Sequence, residues 1–378
     1  EMLDVVQEHV CPSFGACPSM GTACTMQILG EALNLVLPGT ATIPAADNLK
    51  LRSCVEAGRF IVDQVKRGVC PQDIVTKNVL LNTAMLDMAI AGSTNAVLHL
   101  LAYSHELGLD LSLDDFDAAA RQVRCLVGVV PSGPYTVVDF HNAGGVPAVM
   151  KRLKSVLRTE EKTLLGDTWG QYLDRVTIPQ GSIIRTLDQP WSDIAGLRIL
   201  RGNLAAEGAV CRPTGVPEDM REFRGRARVF DREELAAEAI MRDEIHPGEI
   251  IVLRYEGPKG SPGMNELMKA TDRLIAKGME RQVALISDGR FSGFNHGTII
   301  GHVAPEAMVG GLIALVEDGD IIEYSIPSGT LELKVPEEVI EERRKNWQPP
   351  QPKVKSGVLA LYGATCRPAS EGAAMQNW

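Results

Sequence analysis

The sequence predicts a two-domain protein, a helical first half followed by a β-rich second half that closes into a barrel or sandwich. Three observations carry this. A chain of 378 residues with 45% apolar composition exceeds one ordinary domain and can bury sizeable cores. Its first half has apolar residues at helical spacing between Gly/Pro punctuation. Near Arg185 the pattern changes to short β-branched runs separated by turns.

Residues 20–35 carry Ala23, Met26, Leu29 and Leu33 at helical spacing and stop before Pro38-Gly39. Residues 51–66 repeat the pattern with Val55, Ile61 and Val65 on one face, and Gly68 is the expected C-terminal cap. A helix over 74–90 breaks at Gly92-Ser93-Thr94-Asn95, and another resumes over 96–107. Ser112 and Asp115 form a capping box for a helix to about Val123, because a hydroxyl and an acid three apart satisfy the free N–H groups of a first turn. In the second half, strands are expected at 197–200, 227–230, 250–253, 283–286 and 312–316. Glu317-Asp318-Gly319-Asp320 reads as a hairpin turn from the last of these into 321–324, and Pro327-Ser328-Gly329 as the next turn, into 331–335. Antiparallel strands in succession are the expected result. The Pro-rich 347–352 reads as an extended linker before a segment that packs back on the body.

A net charge of -10, aromatic content of 5% and the lack of a Lys/Arg-rich run exclude a nucleic-acid surface, which needs phosphate-neutralising cations. The apolar runs fall far short of the roughly 20 residues that cross a bilayer, so no membrane partner is expected. Glu1-Met2-Leu3-Asp4 has neither signal-peptide nor transit-peptide character, and a cytoplasmic location, or an organelle matrix if a leader is missing, is expected. Eight cysteines spread along so long a chain read as reduced thiols rather than a disulfide scaffold.

P-loop, G-x-G-x-x-G, H-E-x-x-H and C-x-x-C motifs are all lacking, which leaves four Gly-rich polar stretches. Cys11-Pro-Ser-Phe-Gly-Ala-Cys17-Pro-Ser-Met-Gly-Thr22 precedes a helix, whose dipole and unpaired N–H groups favour a thiolate suited to metal ligation. Taken alone, Cys17 is better read as a buried loop thiol. Ser93, Thr94 and Asn95 at a helix start could grip a carboxylate, though alone they suit an ordinary N-cap better. Tyr255-Glu256-Gly-Pro-Lys-Gly-Ser-Pro-Gly-Met-Asn-Glu266 offers two carboxylates, Glu256 and Glu266, as hard ligands for Mg²⁺, or is a purely structural loop. Ser287-Asp288-Gly289-Arg290-Phe291-Ser292-Gly293-Phe294-Asn295-His296-Gly297 places a serine in a turn after a strand, with Arg290 two residues earlier to bind a carboxylate. A Ser-His-acid hydrolase is disfavoured, because the G-x-S-x-G elbow is missing.

Together these stretches, with Leu37-Pro38-Gly39, Ile43-Pro44-Ala45, Arg201-Gly202-Asn203-Leu204-Ala205 and Gly301-His302-Val303-Ala304-Pro305-Glu306, resemble the dihydroxy-acid and sugar-acid dehydratase family over residues 10–374. The resemblance implies an α/β N-terminal domain (1–184), a C-terminal β-barrel domain (185–378), a site between them and a homodimer. It implies that Cys17 is one of three cysteines on an iron–sulfur cluster (2Fe–2S or 4Fe–4S), Glu266 a carboxylate on Mg²⁺, and Ser292 the base that takes the C2 proton of a 2,3-dihydroxy acid. An anionic substrate of an acidic protein must be held by local cations, which agrees with a bound metal. The family's remaining cluster and Mg²⁺ ligands lie in a region with no counterpart here, so the chain is expected to be part of a longer protein. Phe294-Asn295 departs from the small or hydroxyl residues the family commonly carries there, and a bulky ring beside the base is expected to narrow the pocket. Branched-chain amino-acid biosynthesis is the leading expected role. A sugar-acid substrate and an inactive binding subunit are the alternatives.

Overall fold

The computed structural model describes residues 2–9, 14–293 and 296–376. Cys11, Phe294 and Asn295, all named above, lie outside the described residues.

The first lobe is helical: α1 (Met2–His9), α2 (Thr22–Ala32), α3 (Asn48–Arg67), α4 (Pro71–Ile74), α5 (Lys77–Ile90), α6 (Asn95–Glu106), α7 (Leu113–Gln122), α8 (Val137–Asn142), α9 (Gly145–Arg152) and α10 (Trp169–Arg175). Among the described residues its strand content is confined to isolated bridges such as Val129↔Tyr135. The lobe is organised around α5, buried from Val79 to Ile90 except at Leu81. Such a helix is buried on every face and shows no one-sided apolar stripe. Gly68 caps α3 with φ 69°, as expected, and Asp115 accepts the Ser112 N–H at 2.9 Å in the expected capping box of α7. The expected helix over 74–90 begins at Lys77 instead, because Thr76 caps the start of α5 by accepting from Val79 N, and Ile74 ends the short α4. The apolar face read on α3 is not buried: Val55, Ile61 and Val65 are all exposed, Val65 by 71%.

The second lobe is an eight-stranded closed barrel. Its strands are β1 (Arg198–Gly202), β2 (Ala205–Cys211), β3 (Glu222–Phe230), β4 (Glu249–Leu253), β6 (Ala284–Ser287), β8 (Ile299–Ala304), β9 (Ile321–Ser325) and β10 (Thr330–Leu333), and the short β5 (Glu266–Leu267) and β7 (Arg290–Phe291) pair separately. Around the barrel the order is β1-β10-β9-β3-β4-β6-β8-β2. The expected succession of antiparallel strands is corrected here, since β3-β4, β4-β6, β6-β8 and β1-β10 are parallel. Parallel neighbours need crossovers, and α11 (Glu233–Met241) and α12 (Lys269–Ala276) supply two of them. Ile250 and Val252 point into the barrel, whereas Ile251 and Leu253 pack outward with Ala236, Ile240 and Leu274 of these helices. Burial on both faces explains the uninterrupted apolar run at 250–253. The hairpin β9–β10 forms as expected, with Leu331 opposite Tyr324. The expected strand over 312–316 is instead a 3₁₀ turn at Leu312–Leu315, so the 317–320 turn does not join two strands.

Beyond the barrel, α13 (Glu337–Asn346) leads into an extended segment and α14 (Val358–Thr365). Trp347 Nε1 donates to Tyr255 Oη at 3.2 Å, and Lys353 pairs with Glu256 at 2.9 Å. The chain end then reaches the helical lobe, where Ala369 and Ala373 bury with Leu98 of α6 and Met264.

Candidate active site

All four Gly-rich stretches meet where α2 and α6 of the first lobe face β5 and β7 of the second. Glu266 and Arg290 are register partners in the β5–β7 pair, as are Leu267 and Phe291. Glu266 Oε1 accepts from Asn95 Nδ2 at 2.6 Å and from Thr22 Oγ1 at 3.1 Å. Asn95 Nδ2 also reaches Thr22 Oγ1 at 2.8 Å and the Phe291 carbonyl at 3.1 Å. Thr22 Oγ1 and Ser93 Oγ lie 3.0 Å apart, and Ser93 Oγ accepts from Asn95 N at 3.2 Å. Asn95 Oδ1 is buried with no partner, an acceptor left over inside this node. Thr94 precedes α6 without a side-chain cap bond, so its hydroxyl is not spent on the helix. It lines a small cavity together with Arg212, Phe291, Ser292, Gly293 and Gly301.

Gly293 is held where the lobes touch. A Cβ there would meet Ser93 Oγ at 2.9 Å, Gly21 Cα at 3.0 Å and Thr22 N at 3.0 Å, so a neighbour would have to shift to admit it. Ser292, half-buried beside it, donates its N–H to the Leu267 carbonyl at 3.3 Å. Arg290 is half-buried, and its Nε donates to the Met264 carbonyl. Two histidines, His99 and His302, share its surroundings. Burial, aided by Arg290 and His99, pushes His302 down to about 3, so it is neutral, and its Nε2 has no hydrogen-bond partner. Asp288 is buried and accepts N–H groups from Tyr255 (3.1 Å), Glu256 (2.9 Å) and Ala307 (2.8 Å), which shapes the loop leading to Glu266. Burial first, then the charge of Glu306, raises Asp288 to about 7. Glu256 is taken up by Lys353 and stands apart from the Glu266 node.

Cys17 is exposed, with Sγ 3.1 Å from Ser19 Oγ. It lies in the loop ahead of α2, and Thr22 rather than Cys17 occupies the first turn of the helix. Cys17 lines a second cavity with Phe14, Pro18, Pro44 and Val137. Among the described residues no group of three His, Cys, Asp or Glu side chains is placed to hold a metal ion. One exposed thiol and one carboxylate are donors of the right kind for iron and magnesium, but a cluster requires three or four ligands. The described residues therefore complete neither site.

The structure thus brings together Ser93, Thr94, Asn95, Glu266, Arg290 and Ser292, with Cys17 on the adjoining loop. Sequence reasoning missed Thr22, His302 and Arg212. Thr22 stood inside a quoted motif without a role, whereas a lone arginine after a strand carries no local signal.

Two family models match the chain, one after the other. Residues 1–172 match the model of the dihydroxy-acid/6-phosphogluconate dehydratase N-terminal domain, and residues 182–373 match the C-terminal one. A dihydroxy-acid dehydratase of Caldanaerobacter subterraneus is 44% identical over 374 residues, covering 98% of this chain and 67% of the relative. The dihydroxy-acid dehydratase of Pyrobaculum aerophilum is 44% identical over 378 residues (99% and 67%), and that of Acetivibrio thermocellus 42% over 373 (98% and 67%). The chain therefore spans about two thirds of the length of these relatives.

Proposed function

The chain belongs to the dihydroxy-acid/6-phosphogluconate dehydratase family, whose members are hydro-lyases, and from that premise we propose that it converts a 2,3-dihydroxy carboxylic acid to a 2-keto acid, as a step of branched-chain amino-acid biosynthesis. The observation that carries this reading is the convergence of Glu266, Asn95, Thr22 and the Ser292 loop on one node between the lobes. Ser292 Oγ takes the proton from C2. The C–H electron pair becomes the C2=C3 bond while the C3–O bond breaks, and the departing hydroxide takes up the proton gained by the Ser292 alkoxide, leaving as water and restoring the base. The resulting enol tautomerises to the 2-keto acid. A serine is a weak base at its ordinary pKa and needs neighbouring positive charge to act. The leftover acceptor Asn95 Oδ1 and the hydroxyls of Ser93 and Thr94 suit a substrate hydroxyl or carboxylate, and Arg290 is a second candidate for the carboxylate.

Cys17 is proposed as one ligand of an iron–sulfur cluster (2Fe–2S or 4Fe–4S) and Glu266 as one ligand of Mg²⁺, with the others supplied from outside the described residues. A cytoplasmic homodimer is the proposed form of the protein; among the described residues no helix is long and apolar enough to cross a membrane.

Keto-acid formation from branched-chain dihydroxy acids and from sugar acids tests the reading. Turnover confined to the first supports it. The hydroxyls gathered around Thr22 and Ser93 favour the sugar-acid alternative, and turnover confined to aldonates would establish that instead. Ser292→Ala is expected to abolish turnover with iron and magnesium contents unchanged, and retained turnover removes Ser292 from the role of base. Cys17→Ser is expected to lower iron and acid-labile sulfide in anaerobically prepared protein. A wild-type protein without cluster or turnover would point to an inactive binding subunit.

A further inference from the structure

We propose that Arg212 is the positioning residue that fixes the Ser292 loop against the helical lobe, a role that rests on the reading of Ser292 as the base. Arg212 follows β2 and precedes a 3₁₀ turn at Pro213–Gly215, so its backbone is set by the barrel wall rather than by the mobile end of a long loop. The side chain is 8% exposed, and Nη1 donates to the Gly293 carbonyl at 2.7 Å. That carbonyl belongs to the residue beside which Ser93 and the Gly21–Thr22 backbone leave no room for a side chain. Gly293 is thus held from the first lobe by close packing and from the second by a charge-assisted hydrogen bond. Ser292 itself donates its N–H to the Leu267 carbonyl at 3.3 Å, so the turn is also tied to β5.

The same guanidinium lines the cavity onto which Ser292 and Thr94 open. Arg290, the arginine that the sequence brings to notice, is turned to the Met264 carbonyl instead. A planar guanidinium presents donors in fixed directions, so it defines the orientation of the carbonyl it holds in a way that a rotating ammonium does not. Burying it has a cost: desolvation lowers Arg212 to about 10, against the opposing pull of Cys125 and Asp87. A cation kept in so unfavourable a place, bonded to the residue after the base, is accounted for by the order it imposes there.

The test uses the full-length holoprotein and the Arg212→Ala and Arg212→Lys variants, read by steady-state kinetics and by amide hydrogen exchange of the peptide covering 288–293. R212A is expected to lower kcat roughly 100-fold with KM little changed, to recover part of the loss on addition of guanidinium, and to exchange faster in 288–293 but not in the remaining barrel strands. R212K is expected to fall between wild type and R212A. A rise in KM at unchanged kcat would make Arg212 an anchor for the substrate anion and overturn the proposal, as would unaltered exchange in 288–293. If R212A does not fold, R212K decides alone: faster exchange in 288–293 at an unchanged melting temperature supports the role, and wild-type exchange removes it. A wild-type protein that turns over neither substrate class sinks the dehydratase reading, and the exchange measurement then judges Arg212 independently.

Discussion

A carboxyl group with no hydrogen-bond partner is costly to bury, and Asp87 in the middle of α5 is buried completely with both oxygens unpartnered. Burial raises its pKa well above the ordinary carboxyl value, with Arg212 opposing the shift. The unfolded chain loses this proton as pH rises through the normal Asp range while the folded protein retains it. Protonation linkage therefore adds no cost at Asp87 below that range and destabilises progressively above it, up to the raised folded pKa. Asp87→Asn is expected to flatten the fall in melting temperature between pH 4 and pH 8, measured by calorimetry, so that the variant gains a few degrees on wild type at pH 8. Neither the burial of Asp87 nor the role of Arg212 was legible in the sequence. Each is a lone charged residue in an apolar segment, and only tertiary packing decides whether such a residue is inside. Of the residues that drew attention in the sequence, Ser93 and Ser292 lie beside glycines, Gly92 and Gly293, where a side chain would meet close neighbours.

At the scale of elements, turn and cap chemistry carried over well, because it depends on a few neighbouring residues. Gly68 closing α3, the Ser112 cap of α7 and the β9–β10 hairpin are local in this sense. Pairing direction is not local. The runs at 250–253 and 283–286 look like hairpin strands until α11 and α12 are recognised as crossovers, and these helices are short. The 312–316 run shows the same limit, since a β-branched apolar stretch buried in a 3₁₀ turn has the composition of a strand. Gly293→Ala tests the contact between elements at the site. The added methyl would drive the Ser292 loop from Ser93 and Thr22, so turnover is expected to drop at least tenfold, with little change in the melting temperature of the barrel. Gly68→Ala, in contrast, forces an alanine into a left-handed cap and is expected to cost about 1 kcal/mol, seen by denaturant titration, without altering turnover.

For the molecule as a whole, the division into a helical lobe and a barrel was visible as a change of sequence character near Arg185, since helical and β-rich runs differ over tens of residues. What the sequence concealed is how the lobes are joined. Beyond the polar node, Leu98, Met264, Ala369 and Ala373 form an apolar contact in which the chain end bridges both lobes. Removing residues 347–376 deletes this contact, the Lys353–Glu256 pair and the Trp347–Tyr255 hydrogen bond. Calorimetry of the shortened protein is expected to show two separate transitions where the intact chain shows one, and a single sharp transition would refute this coupling.

The clasp also has an order in time. Ribosomes deliver a chain from its N-terminus, so α6 and the residues of the node emerge long before Ala369 and Ala373. Until those last residues arrive, Leu98 and Met264 lack their cover, and β1 waits for β10 before the barrel can close. The growing chain thus carries an unfinished apolar seam until Ala369 and Ala373 are made. The two lobes lock around the site only after these residues have emerged.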